Sequence, residues 1–150
     1  MRLALSMAAL LLSATAALAE GPIVKADSLK WAEAPRVLPK GAQFALVSGD
    51  PASNGPYVLR LKMPADYRVP AHKHPTSEYV TVLSGSFHIG MGDMLDPNKG
   101  QELRAGDFAE ASANMNHFAW TTAETVIQVH GQGPFEMSYV NPADNPRKTE

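Results

Sequence analysis

Two histidines and a glutamate lie close together in the sequence at a spacing that suits a metal ion. His72 and His74 are two residues apart, and Glu78 follows four residues later. Side chains at i and i+2 of an extended segment point to the same side, and a short loop can return the carboxylate to the same point. Imidazole with one carboxylate is a donor set for Fe(II), Mn(II) or Zn(II). The spacing therefore predicts a site for a divalent transition metal.

A third histidine is the candidate for the remaining ligand. His117 lies at the start of a predicted strand, His117 to Thr121, in which apolar and aromatic residues dominate. It lies 39 residues after Glu78. The chain contains no cysteine, so Cys-type zinc sites, iron–sulfur clusters and cysteine nucleophiles are excluded.

At these residues the chain resembles the cupin family. The first cupin motif reads G-x5-H-x-H-x3-4-E-x6-G, and His72, His74, Glu78 and Gly85 match it in order and spacing. Asp66 stands where the motif begins with glycine, which alters the preceding turn and leaves the ligands in place.

The second cupin motif, G-x5-P-x-G-x2-H-x3-N, matches only in part. Its positions are taken by Gly106, Ser112, Asn114, His117 and Thr121, of which the first and fourth agree. Asparagine tolerates the left-handed backbone conformation that glycine would adopt at the third position. The ligand role of the histidine therefore survives, and the resemblance spans about residues 57–130.

The resemblance implies a fold and a cofactor. The fold is all-β, a double-stranded β-helix or jelly-roll barrel. The cofactor is one divalent metal (Fe, Mn, Ni or Zn) held by His72, His74, Glu78 and His117. Four protein ligands leave two adjacent positions on an octahedral ion, enough for a substrate oxygen plus water or dioxygen. Such a site is similar to those of cupin dioxygenases and decarboxylases.

The pattern along the chain independently indicates an all-β domain. Twelve prolines and eleven glycines separate short apolar stretches, as in a sandwich or barrel. The predicted strands are 44–47, 57–63, 78–83, 86–90, 117–121, 125–130 and 135–140. We expect a single domain over residues 20–150 with its core at about 44–140. The segment 20–41 is either an arm for dimerisation or a disordered leader.

The first nineteen residues have the pattern of a cleavable signal peptide. Arg2 precedes an apolar run from Leu3 to Ala19 that ends in Ala17-Leu18-Ala19, a small-x-small cleavage site. An uncleaved anchor is the alternative, but the run is short for a membrane span. We therefore expect cleavage after Ala19 and a periplasmic or secreted protein without further contact with the membrane.

The charge balance limits the partners. Without Arg2, 12 of the 13 basic residues remain against 15 acidic ones, a net charge of −3, and no long charged block occurs. Neither nucleic acid nor an anionic membrane is favoured as a partner. We expect a small-molecule ligand or substrate, and a homodimer is possible if an edge strand such as Phe44–Val47 pairs between subunits.

Other polar side chains are weaker candidates. His130 and Gln128 share one face of a predicted strand, and Arg60 and Lys62 share one face of another, so each pair is either a substrate-pocket wall or a solvated strand face. Tyr79 alternates with Glu78 and is expected in the core. His88 is expected on a solvent-exposed face.

Three functions fit these observations. The first is a metal-dependent oxidoreductase, resembling a dioxygenase, that acts on a small oxygen-bearing molecule; decarboxylation is a variant of it. The second is a non-catalytic periplasmic module that binds or senses a small ligand or a metal. The third, a metal-free sugar isomerase or epimerase, is disfavoured because it has no need of four intact ligands. No general acid or base can be named.

Overall fold

The computed structural model describes residues 22–148, so the predicted signal peptide, residues 1–19, lies outside the described part of the chain. The structure is all-β, as predicted. The strands are β1 (Ala32–Glu33), β2 (Gln43–Ser48), β3 (Pro56–Met63), β4 (Arg68–Lys73), β5 (Glu78–Ser84), β6 (Phe87–Met91), β7 (Gly100–Leu103), β8 (Phe108–Ala111), β9 (His117–Thr121), β10 (Thr125–Gln132) and β11 (Ser138–Tyr139). Short 3₁₀ helices occur at Ala26–Ser28, Pro97–Lys99, Pro142–Asp144 and Pro146–Lys148. Within residues 22–148 no helix is long and apolar enough to cross a membrane.

The strands form two antiparallel sheets that face each other. One sheet has the order β1-β2-β3-β10-β5-β8 and the other β11-β4-β9-β6-β7. Because neighbouring residues of a strand point to opposite faces, every second residue of β3 and β10 turns inward, and these include Leu59, Ile127 and Val129. The two inner faces enclose the core, which gives the jelly-roll arrangement expected of a cupin.

Two non-glycine residues adopt the left-handed conformation at motif positions where cupins have glycine. Asp66 has φ +61° and Asn114 has φ +62°. The expectation for the asparagine is therefore confirmed. Aspartate and asparagine are the non-glycine residues that best tolerate this region, which explains how the turns survive the replacements.

The last predicted strand is shorter than expected. The strand contains only Ser138 and Tyr139, which pair with β4, whereas residues 135–140 were expected to form one strand. Phe135 instead donates its backbone N–H to the Pro51 carbonyl, and the Glu136 carbonyl is turned toward a histidine ring. These groups are used in tertiary contacts and not in a strand ladder.

Residues 22–41, here called the N-terminal arm, are folded onto the barrel. β1 pairs with β2, and the Ala34 N–H donates to the Ala42 carbonyl at 3.0 Å. The Tyr67 hydroxyl donates to the Pro39 carbonyl, and the Tyr139 hydroxyl donates to the Val37 carbonyl at 2.7 Å. The expectation of a disordered leader is wrong for this part of the chain. β1 also covers part of β2, the strand expected to be a free edge.

Candidate metal centre

Four side chains from three strands meet at one point inside the barrel. His72 lies in β4, and His74 is the first residue after that strand. Glu78 begins β5 and His117 begins β9. Their ligand atoms all lie within 4.8 Å of one another. The Glu78 Oε2 atom is 3.7 Å from His74 Nε2 and 3.5 Å from His117 Nε2. The sequence-predicted ligands are thus brought together.

Backbone carbonyls hold the outer nitrogen of each imidazole. The Nδ1 atoms of the three histidines lie 2.7, 2.7 and 3.0 Å from the carbonyl oxygens of Pro70, Glu136 and Met115 respectively. A carbonyl only accepts, so each Nδ1 carries the proton and donates it. In the neutral ring each Nε2 then has a free lone pair, and this is the tautomer that a metal requires.

The inner nitrogens are the atoms that fit a metal. The Nε2 atoms of His74 and His117 are buried and have no hydrogen-bond partner. Leaving a buried polar atom unpaired costs about 1–3 kcal/mol, so native proteins rarely do so without a reason. Three imidazole lone pairs and one carboxylate around a common point are a donor set for Fe, Mn, Ni or Zn. The residues present therefore fit a divalent transition metal.

Burial and charge place the ligands in their metal-binding protonation states. Burial, followed by the neighbouring His117, lowers the pKa of His72 to about 3. Burial alone would raise the pKa of Glu78, but the electrostatic influence of the three nearby histidines, His117 first, outweighs it and lowers that pKa to about 2. A neutral imidazole and an ionised carboxylate are the forms that bind metals.

The four ligands lie in a cavity whose other walls are apolar. The cavity has a volume of about 110 Å³. Apart from the four ligands, every lining side chain of the described residues is a hydrocarbon or a thioether. These are Pro35, Val37, Leu38, Phe44, Pro51, Leu59, Leu61, Met63, Val69, Val80, Phe87, Ile89, Ala119, Ile127, Val129, Phe135 and Met137.

Both ends of the domain contribute walls that the sequence did not reveal. Val37 and Leu38 of the N-terminal arm are half-buried and line the cavity. Near the other end of the domain, Phe135 also lines the cavity, and its ring lies 5.1 Å from the His74 ring. The only signal for these residues was their apolar character next to prolines, which does not distinguish a cavity wall from ordinary core.

The four polar residues considered for the pocket lie on the outer face of the six-stranded sheet. The Arg60 Nε atom donates to Gln128 Oε1 at 3.2 Å, and the Lys62 Nζ atom lies 4.5 Å above the Trp31 ring. His130 stacks on an outer-face tyrosine. None of the four lines the cavity, because the residues that alternate with them along β3 and β10 point inward.

Two further expectations need correction. Tyr79 was expected in the core, but it lies half-buried on the outer face, stacked between His130 at 5.0 Å and Phe108 at 6.3 Å between ring centroids. Because Glu78 points inward, its neighbour must point outward. His88 was expected in solvent, but it is half-buried and stacks on Trp120 at 4.7 Å.

Residues 19–136 of the chain match the family model described as the ChrR cupin-like domain. No curated protein matches the sequence. Many solved structures share the fold, and three illustrate the range.

A candidate acetylacetone dioxygenase from Methylibium petroleiphilum has 18% identity and a TM-score of 0.65, with 87% of this chain and 88% of that chain covered. The polyketide cyclase RemF from Streptomyces resistomycificus has 15% identity and a TM-score of 0.66, with 85% and 90% covered. Salicylate 1,2-dioxygenase from Pseudoaminobacter salicylatoxidans has 10% identity and a TM-score of 0.54, with 69% and 30% covered. At such identities the likeness is one of fold.

The family model, which matches most of the chain, shows that this protein belongs to the ChrR cupin-like family.

Proposed function

We propose that this protein is a divalent-metal-dependent oxidoreductase of the dioxygenase type that acts on a small oxygen-bearing molecule. The observation that carries the proposal is the pair of unpartnered Nε2 atoms, on His74 and His117, that face Glu78 inside an apolar cavity. When bound, the metal would supply a Lewis acid and a redox centre.

The residues of the chain have three tasks in this proposal. The backbone carbonyls keep the three imidazoles oriented with Nε2 inward, so that no reorganisation is needed on binding. The carboxylate of Glu78 offsets part of the positive charge of the ion. The apolar walls exclude water and so strengthen every electrostatic contact at the centre.

The walls also limit the type of reaction. Outside the ligand set, the lining of the described residues offers no nucleophile and no general acid or base. Hydrolysis or isomerisation by wall side chains therefore has no support. Chemistry at the ion, with dioxygen as the oxidant, does not need such a side chain. Two structures of the same fold, the candidate acetylacetone dioxygenase and salicylate 1,2-dioxygenase, are named for that reaction class.

The test combines metal analysis with oxygen uptake. Protein without a His-tag would be analysed for Fe, Mn, Ni and Zn, and oxygen consumption would be followed with diketones and phenolics. We expect about one divalent ion per chain and oxygen uptake with at least one substrate class. Absence of bound metal in protein from its native compartment, and no uptake after reconstitution, would contradict the proposal.

A second function has support from the same walls. A non-catalytic binding or sensing module needs a pocket and no acid–base residue, which is what the lining shows. It predicts that a ligand stabilises the metal-loaded protein against heat without being consumed. The oxidoreductase predicts that the same ligand disappears as oxygen is taken up.

Export and assembly belong to the proposal as well. We propose a periplasmic or secreted protein, since the apolar run from Leu3 to Ala19 ends in a cleavage site. The mass of the mature protein would show whether residues 1–19 are removed. A homodimer is a further possibility, which light scattering of the mature chain would test.

A further inference from the structure

The cavity beyond the metal ligands has no group that can stabilise a charge. Across the described residues its walls carry no cation, anion, amide or hydroxyl, and only the weakly accepting sulfurs of Met63 and Met137 depart from hydrocarbon. Burying an unpaired charge in such surroundings is costly, and a bound carboxylate, phosphate or ammonium would have no partner there. A ligand that fits must therefore be polar only at the end that reaches the ion.

The N-terminal arm forms one wall of this cavity and is held in place on both sides. Val37 and Leu38 line the cavity and pack against the core. The hydrogen bonds from Tyr139 to the Val37 carbonyl and from Tyr67 to the Pro39 carbonyl secure the backbone around them. Because the backbone is secured, these two side chains form a defined wall.

The same tyrosine connects the arm to the metal centre. The Tyr139 ring lies 6.1 Å from the His72 ring, and its hydroxyl holds the arm. One aromatic side chain therefore contacts both a ligand and the arm, and the arm limits how long a ligand can be.

We propose that the site takes a molecule with one oxygen-bearing end and an uncharged hydrocarbon body, and that Val37 and Leu38 determine the size of the body it accepts. This inference rests on the proposed function, since the ion must hold the oxygen-bearing end.

The probes are β-diketones, which present two oxygens for two adjacent metal positions. Acetylacetone, its analogues with longer alkyl chains, and succinylacetone, which ends in a carboxylate, would be titrated by calorimetry into nickel-loaded protein. We expect affinity to rise about fourfold per added methylene until the wall is reached and then to fall. Succinylacetone should bind at least about tenfold more weakly than a neutral diketone of equal length, because its carboxylate is buried unpaired.

Two opposite variants test the arm. Leu38→Ala should move the affinity optimum to chains about one or two methylenes longer, and Leu38→Phe should move it to shorter chains. Leu83→Ala is the matched control, because Leu83 is 37% exposed and does not line the cavity. Its chain-length profile should equal that of the parent protein.

The outcomes separate this inference from the proposed function. Failure to bind nickel, iron or manganese overturns both. If metal binding is normal, any of three results overturns the present inference alone. These results are that succinylacetone binds as tightly as its neutral counterpart, that no neutral diketone binds, or that both folded Leu38 variants keep the parental chain-length profile. Should one Leu38 variant fail to fold, the other decides.

Discussion

His72 and His117 are direct partners across β4 and β9, and their ring centroids lie 4.2 Å apart. One residue belongs to the first metal-binding motif and the other to the second, so the strand register itself joins the two halves of the site. A one-residue slip between these strands would turn one imidazole to the outer face of the sheet. The relative positions of the four ligand side chains therefore depend on the strand register as well as on the residue types.

Removal of one imidazole should abolish tight metal binding. In His117→Ala we expect metal affinity to fall by at least about 100-fold. The metal-free variant should also unfold at a lower temperature than the metal-free parent protein, because the buried ring and its hydrogen bond to the Met115 carbonyl are lost. Thermal melts with and without metal measure both effects.

The control for that experiment is His88→Ala, which removes an imidazole from the outer face. It should retain the metal-dependent rise in melting temperature. Equal stabilisation of His117→Ala and the parent protein by metal would rule out the ligand role of His117.

Acid should destabilise the metal-free protein. The pKa of His72 falls from 6.5 to about 3 on folding, mainly because of burial. Above the pKa of the unfolded state, His72 is neutral in both the folded and the unfolded protein and does not lower the free energy of unfolding. Below it the unfolded state binds a proton that the folded state does not, so stability falls as the pH drops from about 6.5 toward 3, by at most about 1.4 kcal/mol per pH unit for this residue.

Urea unfolding at several pH values between 7 and 4 measures this loss. His72→Asn removes the titrating group and should give a shallower pH profile than the parent protein. An unchanged profile in a variant that still folds would assign the acid sensitivity to other residues.

The Tyr139 hydroxyl should hold the N-terminal arm against the barrel. Tyr139→Phe deletes the hydrogen bond to the Val37 carbonyl and should cost about 1 kcal/mol of unfolding free energy. Because the loss is local, amide exchange in the arm should accelerate more than exchange in the barrel strands. Tyr79→Phe, on the outer face, is the control and should leave exchange in the arm unchanged. Uniform acceleration in Tyr139→Phe would argue against a local role.

The glycine that closes the first motif should not tolerate a side chain. Gly85 has φ +86°, and an added Cβ would collide with the Glu124 carbonyl and with Thr125. We expect Gly85→Ala to cost at least about 1–3 kcal/mol in urea unfolding. Gly55→Ala is the control, since its nearest neighbour is the Ser53 hydroxyl at 3.9 Å. Similar costs for the two variants would refute the explanation.

Motif spacing predicted the four residues that meet inside the barrel, and apolar stretches between prolines and glycines predicted most strands. One error occurred where alternation was applied without knowing which face is inside. Tyr79 was expected in the core, although it lies on the outer face. Arg60 was left open between a pocket wall and a solvated strand face, and it lies on the outer face. Alternation separates two faces of a strand, but packing of the second sheet decides which of them is buried.

The sequence by itself determined the ligand types, their spacing along the chain and the all-β architecture, because these follow from local chemistry and from patterns of period two. Only the tertiary structure decided that the remaining cavity walls are apolar and that the N-terminal arm forms one of them. Val37 and Leu38 are far from the ligands along the chain, and Tyr139, whose hydroxyl donates to the Val37 carbonyl, is 102 residues from Val37. Contacts over such separations depend on how the sheets pack, which no local pattern contains.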